Sequence, residues 1–328
     1  MKSVLVTGGA GFIGHHLVKE LVKNHIVYVV DDLSSSVVDP SAEFHSHGVR
    51  SILPQMLGMY DRKKDPRSPG VVFVNSDFAN QYVVEFINGF NIDTVYHLAA
   101  KPRVEWSVEN PVESTTENFS KVLVLAKACA DANARLVFSS TAAVYGNCDI
   151  VPTAETSPKK PESPYGLSKL CAENYLSLFE NLYGLDWAAL RYFNVYGPAQ
   201  PGNSAYSTVV SAWCHKACVN EPLRSDGDGT QTRDMIYVDD VVSANVFIGS
   251  APFLKERIYN VGSESAISNN KIRSFFTKRG YTEVEHAPKR KGDVKHTCAD
   301  TTRLKNLGWK CKISFSEGIS KVFDFWEL

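Results

Sequence analysis

The run Val4-Leu5-Val6-Thr7-Gly8-Gly9-Ala10-Gly11-Phe12-Ile13-Gly14 constrains this chain more than any other stretch. An apolar segment of strand length feeds a glycine-rich turn, and His15-His16-Leu17-Val18-Lys19-Glu20-Leu21 then carries apolar side chains at helical spacing. Glycine lets a backbone turn this tightly and press its N–H groups against a pyrophosphate at a helix N-terminus, where the dipole favours negative charge. Gly8, Gly11 and Gly14, with Phe12 and Ile13 between them, are therefore candidate cofactor-binding residues. A glycine triplet alone is a weak pattern. Here a second strand, Ile26-Val27-Tyr28-Val29-Val30, ends in Asp31, about 20 residues past Gly11, where an acid accepts hydrogen bonds from an adenosine ribose. The same acid repels a 2′-phosphate, so the pattern points to NAD rather than NADP.

The chain has 328 residues and 44% hydrophobic content, enough to bury a substantial core in one large unit or two lobes. A net charge of −1 offers no global field to recruit nucleic acid or a membrane surface. The cluster Arg62-Lys63-Lys64-Asp65-Pro66-Arg67 is short and reads as a solvated loop. Seven cysteines lie scattered, and Cys214 and Cys218 lack neighbours that would complete a metal site. Reduced thiols in a cytoplasmic protein are the expectation, with no metal, no signal peptide and no bilayer span.

Strands alternate with helical stretches up to about residue 190, the rhythm of a parallel sheet with helices on both faces. Strands read at Val71–Val74, Thr94–Leu98, Leu136–Ser139 and Ala188–Tyr192, and a helix at Glu117–Ala130. The segment Ser34 to Gly70, rich in Ser, Pro and Gly, is long for a connection and reads as a surface excursion. From Gly197 on, Pro and Gly become dense and the rhythm breaks, with one return to the sheet expected around Met235–Phe247. The expected architecture is α/β. A doubly wound parallel sheet takes residues 1–190 plus about 231–262, and a smaller C-terminal lobe takes 191–230 and 263–328.

Tyr165 and Lys169 sit four apart in a stretch that reads as a helix, so both side chains share one face. A tyrosine phenol, with an ordinary pKa near ~10, is no base at neutral pH. A nearby ammonium and an oxidised nicotinamide would both favour the phenolate. Tyr-x-x-x-Lys is common by chance. Its weight comes from Leu136-Val137-Phe138-Ser139-Ser140-Thr141, a strand ending in hydroxyls at the sheet edge where open α/β sheets bind ligands.

With these motifs the chain resembles the extended short-chain dehydrogenase/reductases of the NAD-dependent epimerase/dehydratase family, which act on nucleotide sugars. Thr7–Gly14, Asp31, His97-Leu98-Ala99-Ala100, Ser139-Ser140-Thr141, Tyr165-x-x-x-Lys169, Arg191–Pro198 and Arg233–Asp240 carry the likeness, essentially end to end. The resemblance implies a Rossmann domain and a catalytic triad of Thr141, Tyr165 and Lys169. It extends the cofactor-binding set to Asp32, Ser34, Asp77, Phe78, Leu98, Ala99, Ala100 and Asn118, with Tyr165 and Lys169 shared. Asp77 and Phe78 would flank the adenine, and Asn118 would sit behind the active site. Asn194, Ala205, Tyr206, Arg233, Arg290, Asp293 and Thr297 become substrate-binding candidates, the arginines for a diphosphate. His97 reads as a packed core histidine, and Cys171 and Cys298 as small packing residues.

Within that family, 4,6-dehydratases carry an Asp-Glu pair after the threonine; this chain has Ala142-Ala143, whose methyl groups cannot move protons. Reversible oxidation at a sugar carbon is the chemistry left, which with a turned keto sugar gives epimerisation. Thr297 stands where the family's 4-epimerases place a sugar-pocket wall, and a threonine leaves volume for an acetamido group. The expected activity is C4 epimerisation of UDP-GlcNAc/UDP-GalNAc, with UDP-Glc/UDP-Gal as further substrates. Epimerisation or decarboxylation of UDP-glucuronate, with Arg103 facing the carboxylate, is the second reading; a non-catalytic NAD-binding regulator is the third. The resemblance also implies a homodimer, since in that family the helices corresponding to Glu117–Ala130 and to the one bearing Tyr165 commonly pair across a dimer interface.

Overall fold

The apolar runs of the sequence become strands buried on both faces, as strands inside a helix-covered parallel sheet must be. The structure, a computed structural model, describes residues 2–44, 46, 49–52, 70–204, 207–288 and 294–328. Its strands are β1 (Lys2–Thr7), β2 (His25–Asp31), β3 (Val49–Ile52), β4 (Val71–Asn75), β5 (Thr94–His97), β6 (Arg135–Thr141), β7 (Trp187–Tyr192), β8 (Asn194–Tyr196), β9 (Leu223–Asp226), β10 (Thr232–Tyr237), β11 (Ile258–Val261), β12 (Ala266–Ser268) and β13 (Val284–Ala287). The helices are α1 (Phe12–Leu21), α2 (Pro40–Glu43), α3 (Gln81–Gly89), α4 (Val104–Glu109), α5 (Pro111–Thr115), α6 (Lys121–Asp131), α7 (Pro164–Tyr183), α8 (Val209–Cys218), α9 (Val238–Ser250), α10 (Asn269–Thr277), α11 (Thr302–Asn306) and α12 (Phe315–Trp326).

The main sheet has eight strands in the order β11-β7-β6-β5-β1-β2-β4-β3. Pairing is parallel from β6 through β5, β1, β2 and β4 to β3. The chain leaves β1 in one direction through β2 and β4, then crosses back to β5 and proceeds the other way. The gap beside β1 is therefore a topological switch point, where a doubly wound sheet opens a crevice for ligand.

Chain contacts divide the molecule into two units, 1–140 with 163–190 and 242–258, and 141–162 with 191–241 and 259–328. In the first, Leu5, Tyr28, Val72, Val95 and Leu136 of the sheet pack with Phe86 of α3, Leu125 of α6 and Leu176 of α7. Each such fully buried side chain contributes about 1.5–3 kcal/mol. Local signals delimit the helices: Ser163 Oγ caps α7 by accepting from Gly166 N at 3.1 Å, Pro164 takes its first position, and Gly184 ends it at φ +71°. In the second unit, β12-β10-β8 and β13-β9 form two small sheets. Trp213, Phe276 and Phe323 stack edge to face there, with ring centroids 5.6 and 4.9 Å apart.

Three organisational expectations differ from the structure. Residues 141–162, 231–241 and 259–262, read as part of the sheet domain, group with the second unit. Thr153 bridges to Ala299, Asn260 Nδ2 donates to Thr153 O at 2.8 Å, and β10 pairs with β8 and β12. The return to the main sheet is made by β11, not by Met235–Phe247. Met235–Tyr237 end β10, and the rest is α9, whose Val241, Ala244, Asn245 and Ile248 are buried at helical spacing. The helix expected from Glu117 begins as a π-type turn, Thr116–Ser120, before α6. The cluster Arg62–Arg67 lies outside the described residues. Among the described residues, no helix is long and apolar enough to cross a membrane, and no group of three or more His, Cys, Asp or Glu is placed to hold a metal ion.

Candidate active site

The glycine turn after β1 is a place where side chains do not fit. Gly8 has φ +72°, and a Cβ there would lie 2.6 Å from the Ala99 amide nitrogen; at Gly14 a Cβ would lie 2.0 Å from the Gly8 carbonyl oxygen. Backbone thus packs on backbone, leaving a cradle of the kind a pyrophosphate needs at the start of α1. Gly11 begins that helix in extended conformation, with Phe12 and Ile13 in its first turn. Asp31, at the end of β2, accepts from Ala10 N at 2.9 Å and from Leu33 N at 2.8 Å, which ties the ribose-reading acid to the turn. Burial pushes its carboxyl up, against those two bonds and the Lys101 charge. Burial acts the same way on Asp32, but the Ser34 hydroxyl and amide with the Lys101 and Lys121 charges outweigh it and hold that carboxyl low. Turn and acid together fit NAD.

Around this cradle the other cofactor candidates take varied positions. Asp77 accepts from Ala79 N at 2.8 Å and pairs with Lys121 Nζ at 2.6 Å. Phe78 stands edge-on to His97, 4.7 Å between centroids. His97 is fully buried, its Nδ1 2.7 Å from Thr7 Oγ1. Burial drives the imidazole well below its ordinary pKa, so the ring is neutral. Leu98 N donates to Thr7 O at 3.1 Å, and Ala99 N to Thr7 Oγ1 at 3.4 Å, fixing the segment that continues into Ala100. Asn118 is also fully buried. Its amide bonds the backbone on both sides of Lys101, at 3.0 and 3.2 Å, and Ser114 O at 2.9 Å, so it acts by shaping the loop after β5.

Tyr165 and Lys169 lie one turn apart on the sheet-facing side of α7, 8% and 1% exposed. Lys169 Nζ donates to Ser139 O at 2.9 Å and sits 4.6 Å from the centroid of the Phe138 ring. Desolvation pushes its ammonium down to about 7, opposed by the charge of Glu173. Glu173, one turn further on, is buried and accepts from Ser140 Oγ at 2.6 Å. The end of β6 is therefore bonded to α7 at two successive residues. Thr141 closes β6 and groups with the second unit. Its Oγ1 accepts from Ala143 N at 3.1 Å and caps the turn Ala142–Tyr145, whose first two residues, Ala142 and Ala143, carry only methyl groups.

In the second unit, the register of β8 on β10 sets Asn194 beside Met235, two residues from Arg233. Arg233 donates to Thr232 O at 2.9 Å. Asp234, fully buried, accepts from Ser263 N and Oγ, Glu264 N and Ala299 N within 3.1 Å. Thr297 N donates to Thr232 O at 3.2 Å, and Thr297 Oγ1 accepts from Asp234 N at 3.3 Å. Asn194, Arg233 and Thr297 thus stand on three adjacent segments. Ala205, Tyr206, Arg290 and Asp293 lie outside the described residues.

Sequence reasoning gave no role to Lys101, Ser140 or Glu173. Glu173 had a signal, being four and eight residues from Lys169 and Tyr165 on one helix. Lys101 had only its place directly after His97-Leu98-Ala99-Ala100.

Comparison with known proteins places the chain among nucleotide-sugar enzymes of the same fold. The family profile described as "NAD dependent epimerase/dehydratase family" matches residues 4–262. A putative UDP-glucose 4-epimerase of Methanocaldococcus jannaschii is 34% identical over 327 residues, 98% of this chain and 97% of that protein. A UDP-N-acetylglucosamine 4-epimerase from Methanobrevibacter ruminantium, solved with UDP-N-acetylmuramic acid, superposes with TM-score 0.86 at 30% identity, covering 99% of this chain and 98% of the other. The UDP-glucose 4-epimerase of Thermotoga maritima, solved with UDP-glucose, gives TM-score 0.85 at 32% identity, covering 99% and 98%.

Proposed function

The chain belongs to the NAD dependent epimerase/dehydratase family, and from that premise we propose that it is a UDP-sugar 4-epimerase. Its substrates are UDP-GlcNAc and UDP-GalNAc, with UDP-Glc and UDP-Gal also accepted. The observation that carries this reading is Lys169, buried against Phe138 and bonded to Ser139 O one helical turn from Tyr165, with Ala142-Ala143 following Thr141. Bound NAD supplies a hydride acceptor that returns what it takes. Tyr165 Oη removes the proton of the sugar 4-hydroxyl, the Lys169 charge favours its phenolate form, and Thr141 Oγ1 orients the same oxygen. The proton returns from Tyr165 once the 4-keto sugar has presented its other face. Neither Ala142 nor Ala143, which directly follow Thr141, can protonate a leaving hydroxyl, so the cycle closes as an isomerisation. Names of similar proteins support the 4-epimerase chemistry and include both acetamido and plain sugars. Thr297 admits the acetamido sugars by leaving volume where a larger side chain would fill it.

Purified protein without added NAD is incubated with UDP-GlcNAc and separately with UDP-Glc, and products are followed by NMR. UDP-GalNAc should form, and Tyr165→Phe should abolish it. No conversion of either sugar, even with NAD supplied, overturns the assignment; turnover of UDP-glucuronate in its place would establish the second reading. The working form is a homodimer formed through α6 and α7, and the enzyme acts in the cytoplasm.

A further inference from the structure

We propose that Glu173 is a positioning residue for the proton transfer, a buried anion that keeps Lys169 charged and in place beside Tyr165. The inference rests on the epimerase reading above and gives a role to a buried carboxylate which that mechanism leaves unused. Tyr165, Lys169 and Glu173 fall at steps of four along α7, and all three are buried. Glu173 is 2% exposed and Lys169 1%. A charge this deep is costly to bury unless an opposite charge or a strong hydrogen bond compensates it. One helix face that carries both signs a single turn apart meets that requirement.

The ends of the two side chains are also fixed to one short piece of β6. Lys169 Nζ donates to Ser139 O at 2.9 Å, and Glu173 Oε1 accepts from Ser140 Oγ at 2.6 Å. Ammonium and carboxylate are therefore held at successive residues of the same strand. Two other neighbours of the ammonium bring no charge. Phe138 presents its ring 4.6 Å from Nζ. His97, on β5, stacks on the other partner of that ring pair, fully buried and kept neutral by its burial. In surroundings of this kind a single charge acts strongly. Burial drives the Lys169 ammonium down to about 7, and the Glu173 charge opposes it. Without that charge Lys169 would be largely neutral at pH 7, and a neutral amine does not favour the Tyr165 phenolate.

The test separates charge from shape with two variants of the full chain. Glu173→Gln keeps the size and an acceptor for Ser140 Oγ but removes the charge. Glu173→Asp keeps the charge and shortens the reach. Cofactor-free proteins carrying carbon-13 at lysine Cε are titrated by NMR, and the Lys169 signal is identified by its absence from Lys169→Met. Its midpoint should fall by about one pH unit in Glu173→Gln, the lower end of what one nearby opposite charge contributes. In Glu173→Asp it should stay close to wild type. In NAD-loaded protein at pH 8, kcat on UDP-GlcNAc or UDP-Glc should fall about tenfold in Glu173→Gln with KM unchanged, because the charged fraction of Lys169 falls by that factor. Glu173→Asp should recover most of the loss. An unmoved midpoint in Glu173→Gln overturns the proposal. Normal turnover in Glu173→Gln with loss in Glu173→Asp assigns the residue to packing and the Ser140 bond, and overturns it too. A shifted midpoint with unchanged kcat removes Glu173 from the reaction. Wild-type protein that is inactive on every UDP-sugar while the midpoint still shifts removes the epimerase reading instead.

Discussion

Lys169 occupies surroundings that an ordinary ammonium avoids, 1% exposed beside an aromatic ring. Its acidity follows from that burial, and so does a stability signature. With a folded pKa of about 7 against an ordinary 10.5, the unfolded chain binds the extra proton across this window. Stability must therefore rise with pH between the two values, by at most about 1.4 kcal/mol per unit. Cys129, Cys214, Cys298 and Cys311, whose thiols burial pushes up, oppose the trend as the ordinary thiol value of about 8.5 is approached. The Lys169 contribution is therefore read as a difference between two proteins that share those cysteines. From pH 7 to pH 8.5, denaturant unfolding of cofactor-free protein should change by about 1–2 kcal/mol more in the stabilising direction for wild type than for Lys169→Met. Equal slopes in the two proteins would remove the buried-ammonium account. Thr297 makes a second prediction at this scale. Its hydroxyl is engaged by Asp234 N, so the side chain is held in place, and a bulky replacement has to displace volume from its surroundings. Thr297→Tyr should lower kcat/KM for UDP-GlcNAc at least about tenfold while UDP-Glc turnover survives. An unchanged ratio of the two would take Thr297 out of sugar selection.

At the scale of elements, what the sequence exposed was what chain neighbours settle. The strand–turn–helix from Lys2 to Leu21 was readable because β1, its glycines and the apolar face of α1 are contiguous, and the spacing of Tyr165 and Lys169 because one helix carries both. Contacts made across long separations were not readable. Lys101 meets Ser34 across 67 residues and Ser140 meets Glu173 across 33, and no local pattern marks either pair. The same cause explains why Met235–Phe247 read as a return to the sheet: its apolar residues have strand-like density, and only the burial of one helical face of α9 separates the alternatives. The glycine turn gives the element-level test. Gly8→Ala must place a Cβ 2.6 Å from Ala99 N at φ +72°, costing about 1–2 kcal/mol in backbone conformation alone and forcing the segment after β5 away. NAD bound per chain after gel filtration should fall well below that of wild type. A full complement of tightly held NAD would mean that the cradle tolerates movement and is not the pyrophosphate site.

For the whole molecule, α7 raises the question of what covers its second side. One face, with Tyr165, Lys169, Ala172, Glu173 and Leu176, is buried. Another carries Leu167, Tyr175, Leu178 and Leu182, 42–60% exposed and spaced to form one stripe. Val124 of α6 and Val112 of α5 are exposed apolar residues as well. Apolar side chains in such continuity on a soluble surface mark an interface, because exposing them to water forgoes about 25 cal/mol per Å². A second copy of the same chain would cover the stripe with an identical one, as two-fold pairing requires. The helix that orders the catalytic pair would then be braced on both sides, so assembly and activity would be coupled through one element. Wild-type protein should sediment at twice its 36.3 kDa chain mass, with a Tm that rises with protein concentration. Leu178→Glu with Leu182→Glu should sediment as the single chain and lose the concentration dependence, since paired stripes would then bury like charges against each other. If the doubly charged variant still sediments as a dimer, association runs through another surface, and the stripe on α7 needs a different occupant.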